Sequence, residues 1–377
     1  MHIYVDLDIA NNDQTTNADP PQLRFEETRN SPYVEGDSRD YFCSILRFSI
    51  QTGNELPIFI PRILTGQPNP NLTVYAVSIK NPVSGDFVTT PLIYESWNNQ
   101  PVPQPPTTKQ DILNGYYFVN SYQQFAQMLN TALKTCHNLF WNDPTANNQE
   151  PYIQFDPQSN LFVLYCPENY YDPNPPVVVR QYAEIYFNTR LYQLLSSFPS
   201  RFKGNPGELN YLINVDNMNG SNIIESGCKA TYKSVVPVYQ EISTVATWNP
   251  VASIVFCSSL IPVLATNTSP PKLYGDNSTN LASSGANNNL TNILTDFEVP
   301  ITETNQYRPA ITFTPSSEYR LIDMNSVMNL NKLDLIVFWK SHYGELIPLR
   351  LQPGNAAHIK ILFRQRKFNA DTEAEFP

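Results

Sequence analysis

The histidines are the first residues to weigh for metal or acid–base chemistry, and they are dispersed: His2, His137, His342 and His358. A zinc site needs ligands that a short spacing brings to one face, and none of these has a second His near it. His137 ends a helical pattern, where a cation suits the helix dipole. His358 opens a strand pattern and reads as packed or solvated. The cysteines Cys43, Cys136, Cys166, Cys228 and Cys257 form no CxxC pair, so neither a zinc site nor a disulfide framework is indicated. Cys43, Cys166 and Cys257 sit inside apolar strand patterns as small core residues. No GxSxG elbow, GxxxxGK[ST] or GxGxxG occurs, and 13 glycines are too few for a phosphate-cradling loop.

The nearest approach to a calcium loop is NVDNMNGSNIIE, Asn214 to Glu225. With Gly220 at the glycine position of an EF-hand, Val215 and Ser226 fall where ligands belong, so the register is off by one. Carboxylates at i, i+2 occur at Asp6/Asp8 and Asp296/Glu298. On a strand each pair shares one face, and a solvated edge explains them, since no general-acid partner stands beside them. In HIKILFRQRKF, Lys360, Arg364 and Arg366 share one face, and Ile359, Ile361 and Phe363 the other. A solvated face on a half-buried edge strand is the ordinary reading. The functional one is an inward or inter-subunit surface that meets acidic groups or packaged nucleic acid. The acidic tail DTEAEFP follows at once. The residue types that carry catalysis are therefore absent as a constellation, and no catalytic, cofactor or metal site is expected.

Composition points the same way. The chain has 377 residues, 33 of them proline, a formal charge of −10 and only 15% charged residues. That proline content argues against a helical bundle. Its 41% hydrophobic and 12% aromatic residues supply a core, which argues against disorder. An acidic balance is unlike a dedicated nucleic-acid binder. Asp6 and Asp8 interrupt the first apolar run, which argues against a signal peptide, and no run is long enough to span a membrane. Unpaired cysteines suit synthesis in a reducing cytosol. The Asn-x-Ser/Thr sequons at Asn71, Asn219, Asn267, Asn277 and Asn289 are what chance gives in so Asn- and Thr-rich a chain.

The elements that would position any site are mostly strands. Residues 1–39 read as an arm, with one alternating piece at Ile3–Ile9 before the polar run NNDQTTNADPPQ. Strand patterns follow at Tyr41–Ile50, Leu72–Ile79 and Asp86–Glu95, the last two joined by a PVSG turn. After the proline-rich NNQPVPQPPTTKQ the texture changes. Ser121–Phe140 is a helix with a Ser121/Gln124 capping box and one apolar face. YIQF, the turn DPQSN and LFVLYC make a hairpin, and Asn188–Phe198 is a second helix, capped by Asn188 and stopped by Pro199. Strands return at Val236–Val245, Ala252–Leu260, Ile293–Val299 with Ile311–Thr314, Lys332–Lys340 and His358–Arg366, while Thr266–Leu290 reads as a long loop. Three strands before the helical region and about five after it predict a mainly β fold. The expected form is a single eight-stranded antiparallel jelly roll (40–96 and 236–377) with a smaller α+β domain inserted at 97–235.

The run EYRLIDMNSVMNLNKLDLIVFWKSHYGELIPLRLQPGNAAHIKILFRQRKF resembles the closing strands of virophage minor capsid (penton) proteins and their relatives in Maverick/Polinton-like elements. Leu335, Val337, Trp339, Gly344, Pro348, Leu349, Gly354, Lys360, Leu362 and Phe363 carry the match. Trp248–Val263 is similar to that family's central strand pair. Phe118–Cys136, Pro151–Cys166 and Glu184–Phe198 are similar to its inserted unit. The resemblance spans residues 110–367 and rests on the order and spacing of these segments. It implies a virion protein made and assembled in the host cytoplasm. It also implies a homopentamer that closes each icosahedral vertex beside capsomers of the major capsid protein, without an active site. The arm would reach under neighbouring capsomers, and the insert would face a host or giant-virus receptor. Two rivals stand beside this reading. One is a carbohydrate- or receptor-binding sandwich that uses aromatic loops such as ENYYDPNPP (Glu168–Pro176). The other is a cupin-like enzyme, which needs clustered His ligands.

Overall fold

The computed structural model describes residues 2–13, 20–52, 55–64, 67–96, 115–142, 149–171, 182–204, 209–215, 235–263, 292–299, 310–315, 320–342 and 344–366. In chain order its main elements are β1 (His2–Ala10), β2 (Arg24–Thr28), β3 (Tyr41–Gln51), β4 (Leu72–Lys80), β5 (Phe87–Ile93), α1 (Tyr122–Trp141), β6 (Tyr152–Asp156), β7 (Leu161–Pro167), β8 (Glu184–Phe187) and α2 (Thr189–Leu194). There follow β9 (Ser200–Phe202), β10 (Tyr211–Ile213), β11 (Val235–Tyr239), β12 (Val251–Cys257), β13 (Ile293–Glu298), β14 (Ala310–Phe313), β15 (Ile322–Asp323), β16 (Lys332–Ser341), β17 (Leu346–Pro348) and β18 (Ala356–Gln365). They form two compact units. One comprises Met1–Leu56, Pro250–Pro300 and Arg308–Pro377, and the other Pro57–Asn249 with Ile301–Tyr307.

The first unit holds two antiparallel sheets, ordered β1-β18-β3-β14 and β13-β12-β16-β17, with β15 also on β3 and β2 also on β16. Apart from the short β15 and β17, its strands nest like a folded hairpin. The first pairs with the last (β1 with β18), the second with the seventh (β2 with β16), the third with the sixth (β3 with β14) and the fourth with the fifth (β12 with β13). Rolled so that β18 also pairs with β3 and β12 with β16, that nesting is the jelly roll. Alternation supplies the core: Leu333, Leu335, Val337 and Trp339 of β16 point inward, as do Ile359, Ile361 and Phe363 of β18. Phe48 of one sheet meets Phe256 of the other edge-on, with ring centroids 4.9 Å apart.

The predicted eight-stranded fold is present, but three of its expected boundaries need correction. Residues 1–39 are not an arm: β1 pairs along its whole length with β18, and β2 pairs with β16. Residues 57–96 do not belong to the jelly roll, because β4 pairs with β8 through Val77–Phe187 and Ile79–Ile185. Residues 235–239 form β11 on β7, and the jelly roll resumes only at Pro250. The insert thus interrupts the roll between β3 and β12. A short alternating strand carries no mark of its sheet, so the totals of three before and five after hold with other members: β1 and β2 replace the two strands expected at 72–95, and β13 and β14, expected together, count as two in place of Val236–Val245.

The second unit has a five-stranded sheet, β5-β4-β8-β10-β9, and a three-stranded one, β11-β7-β6. Both contribute to one core with α1, in which Phe59, Tyr122, Phe125 and Phe162 surround Trp248. Helix α1 starts as its residues dictate. Ser121 Oγ accepts the Gln123 amide at 3.2 Å, while Gln124 Oε1 accepts that of Asn120, one residue earlier than a capping box requires. Helix α2 is shorter than expected: after Leu194 the Leu195 amide donates to both Leu191 and Tyr192 carbonyls and the turn tightens. The β4–β5 turn is fixed by Asn81 Oδ1, which accepts the Val83 and Ser84 amides, and by Gly85 at φ +80°.

Candidate assembly surface

The charged face predicted on the last strand exists, yet β18 is an interior strand between β1 and β3 rather than an edge. Register places Asp6 opposite Lys360 and Asp8 opposite His358. Lys360 Nζ lies 3.3 Å from Asp6 and His358 Nδ1 2.7 Å from Asp8. Arg47 of β3 approaches Asp6 at 4.0 Å, and Arg366 pairs with Asp323 while lying 4.4 Å over the Phe42 ring. These side chains already have partners within their own chain. The groups are largely exposed, so each pair contributes about 1 kcal/mol or less. Arg364, half-buried on the same strand, has no ionic partner among the described residues.

The remaining predicted residues stay apart. Asp296 and Glu298 share the exposed face of β13, and Arg320 lies 3.5 Å from Asp296. His2 is exposed on β1 and touches the Tyr4 ring, and His342 is exposed in the β16–β17 turn. His137 lies one turn before the end of α1 rather than at it. It is buried, with Nδ1 2.6 Å from the Tyr170 hydroxyl, because it continues the apolar stripe four residues after Leu133. Cys43, Cys136, Cys166 and Cys257 are buried and free. Beyond Asn214 and Val215 the calcium-like segment lies outside the described residues, as do residues 172–176 of the aromatic loop, Cys228, residues 264–291 and the acidic tail. Among the described residues no three of His, Cys, Asp and Glu gather closely enough to hold a metal ion.

Three buried carboxylates escaped the sequence reading, Asp334, Glu55 and Glu345, and the first two gather hydrogen bonds across the fold. Asp334, fully buried on β16, gathers the turn after β12. Its oxygens accept from Ser258 Oγ (2.7 Å), Ser259 Oγ (2.6 Å) and the amides of Ser259 and Leu260 (3.1 and 2.8 Å). Burial alone would raise its pKa, but the Ser259 and Ser258 hydroxyls and these amides hold it below the usual carboxylate range. Glu55, just past β3, accepts from the Arg350 amide at 3.1 Å and Gln352 Nε2 at 2.8 Å. Burial dominates there and pushes its carboxyl up to about 7, against those two hydrogen bonds and the Arg350 charge. A lone Asp within LDLIVFWK was a legible signal for the first; nothing local marks the second.

The described surface carries exposed apolar residues, among them Val83, Phe87 and Phe202 in the second unit, and Leu260, Val327 and Met328 in the first. The family model described as Sputnik minor capsid protein V18/19 matches residues 3–365. The chain belongs to that family. The match takes in β1 to β3, where the sequence had least to anchor it, and runs through both units. Among relatives of this minor capsid protein, "Uncharacterized protein V18" of Sputnik virophage is 37% identical over 124 residues, 30% of this chain and 70% of that one. "Structural protein V19" of the same virophage is 24% identical over 218 residues, 57% of this chain and 94% of the relative. A chain from the cryo-EM structure of the Sputnik virophage superposes with a TM-score of 0.77 at 25% identity, covering 97% of this chain and 99% of that one. The mavirus penton protein shares the fold, with a TM-score of 0.63 at 17% identity and the same coverage.

Proposed function

We propose that five copies of this minor capsid protein close each vertex of an icosahedral particle, seated among capsomers of the major capsid protein, and that the chain works by geometry without catalysis. The observation that carries this reading is the likeness to the mavirus penton protein across 97% of the chain, which spans the jelly roll and the insert together. A ring of identical subunits needs a heterologous interface that closes, with about 800 Å² buried per partner for stability. Two-sheet walls keep such a surface rigid while loops vary at their ends. Low charge and abundant aromatics suit large contacts, whose centres shed charged residues. The protein is made in the host cytoplasm and ends in the virion.

Sedimentation and light scattering on the purified chain test this, with a discrete five-copy mass and no hydrolytic or redox turnover expected. A stable monomer at high concentration would overturn it.

A further inference from the structure

The five-stranded sheet of the second unit ends in two edges of opposite character. On the β9 edge Phe202 stands 66% exposed as the outermost ring of a short array. Tyr192 stacks on Tyr211 with centroids 3.9 Å apart, and Phe202 leans on Tyr211 at 5.1 Å. The next turn fixes it: Gly204 has φ +61°, and a Cβ there would come within 3.1 Å of the Phe202 ring. Arg201 and Lys203 flank this ring, both exposed, and neither makes an ion pair with a described residue.

The β5 edge is apolar and acidic. Val83 at the tip of the β4–β5 hairpin is 93% exposed, Phe87 is 49% exposed, and Asp86 stands between them without an ionic partner among the described residues. The turn geometry that Asn81 and Gly85 impose keeps this tip rigid, as the ring array keeps the other, so little ordering cost attends contact. Pro91 within β5 and the three-residue length of β9 discourage open-ended strand addition. Side chains, not backbone ladders, are what these edges offer.

A closing ring requires two different patches that fit one another. An aromatic knob beside cations on one edge, and an apolar tip beside a carboxylate on the other, make such a pair. A chain of net charge −10 also repels its own copies unless a locally cationic surface meets an acidic one. We propose that successive copies of the chain meet through these edges, with the β9 edge of one, led by Phe202 and Arg201, against the β4–β5 hairpin of the next, led by Val83, Phe87 and Asp86. This rests on the ring reading above and adds the surface that forms it.

Charge reversal in the full-length protein tests it, with analytical ultracentrifugation as readout and circular dichroism as the check on folding. Arg201→Glu alone and Asp86→Arg alone each weaken the assembly roughly tenfold or more, and the two together restore it. Phe202→Ser weakens it without rescue by Asp86→Arg. If the wild type assembles but neither reversal lowers its mass, or the double variant does not recover, this pairing is wrong while the ring reading stands. If the wild type stays monomeric, the ring reading falls and the pairing with it. Lys203→Glu serves as a second cationic variant should Arg201→Glu disturb the fold.

Discussion

In the jelly-roll unit, buried carboxylates tie loops to strands at Glu55 and Asp334, beside the carboxamide of Asn11. In the inserted unit carboxamides do the same work. Asn130 accepts the Ile153 amide at 2.7 Å and donates to its carbonyl at 2.9 Å, standing in for a neighbouring strand along β6. Gln240 accepts the Phe162 amide, and Gln124 donates to the Glu95 carbonyl. An amide has one donor group and one acceptor and no charge to lose, whereas a carboxyl changes its charge and trades an acceptor site for a donor as it titrates. The pH response of these ties should therefore concentrate in the jelly roll. The pairing pattern differs too, since the roll joins first strand to last while the insert combines hairpins and a helix with longer pairings such as β4 with β8.

The largest test removes residues 1–12. This deletes β1 and leaves β18 without its nine-residue partner, exposing core positions beside Ile359 and Ile361. The jelly roll should fail to fold, whereas the insert, which has no pairing with β1 among the described residues, should survive as a protease-resistant fragment that mass spectrometry identifies. A protein of full native resistance after this truncation would return residues 1–12 to the role of a dispensable arm.

Next in size is Glu55→Gln. Its folded pKa of about 7 lies above the ordinary 4.5, so the folded state favours the protonated acid. That stability is fully present below pH 4.5 and is lost as pH rises through 7. The neutral variant should gain up to about 3 kcal/mol over the wild type at pH 8 and almost nothing at pH 4. Denaturant melts of the two proteins at both pH values measure it, and a gain of equal size at each pH would refute the burial argument.

Asp334→Asn has the opposite sign. A depressed folded pKa contributes stability above the unfolded value of 3.8 that is lost as pH falls through the folded one. At pH 7 the variant leaves the Ser258–Leu260 turn short of acceptors, at a cost of about 2 kcal/mol. The difference from wild type should shrink as acid protonates the native carboxyl. A gap that widened below pH 4 would contradict the assignment.

How much of this was legible in the sequence follows the same division. Helix α1 and the β6–β7 hairpin announce themselves through Ser121, the stripe from Tyr122 to Cys136, and the Asp156–Asn160 turn, all of which act within a few residues. The jelly roll is made of pairings across the whole chain, such as Asn11 Nδ2 to the Leu351 carbonyl, 340 residues apart. No local pattern could tell that β1 rather than β4 enters it. The same distance hides Glu55, whose burial comes from a loop 295 residues away. His137 was readable by periodicity, because it follows Leu133 by one helical turn. The ring-forming edges were not, because Phe202 and Phe87 become edge residues only through the strand order β5-β4-β8-β10-β9.

The smallest effect belongs to the insert and completes the contrast. Asn188 caps α2 through Oδ1, which accepts the Leu191 amide at 2.9 Å, and its Nδ2 donates to the Val74 carbonyl of β4 at 2.9 Å. The side chain is buried, so Asn188→Ala strips the cap and leaves the Val74 carbonyl without this donor. The loss should be about 1 kcal/mol. Because neither group titrates, the loss should be the same at pH 5 and pH 8, measured by the same melts that give Glu55→Gln its slope. A cost that varied across that range would mean that an ionisable group shares the cap, and the division between titrating ties in the jelly roll and neutral ones in the insert would fail at this residue.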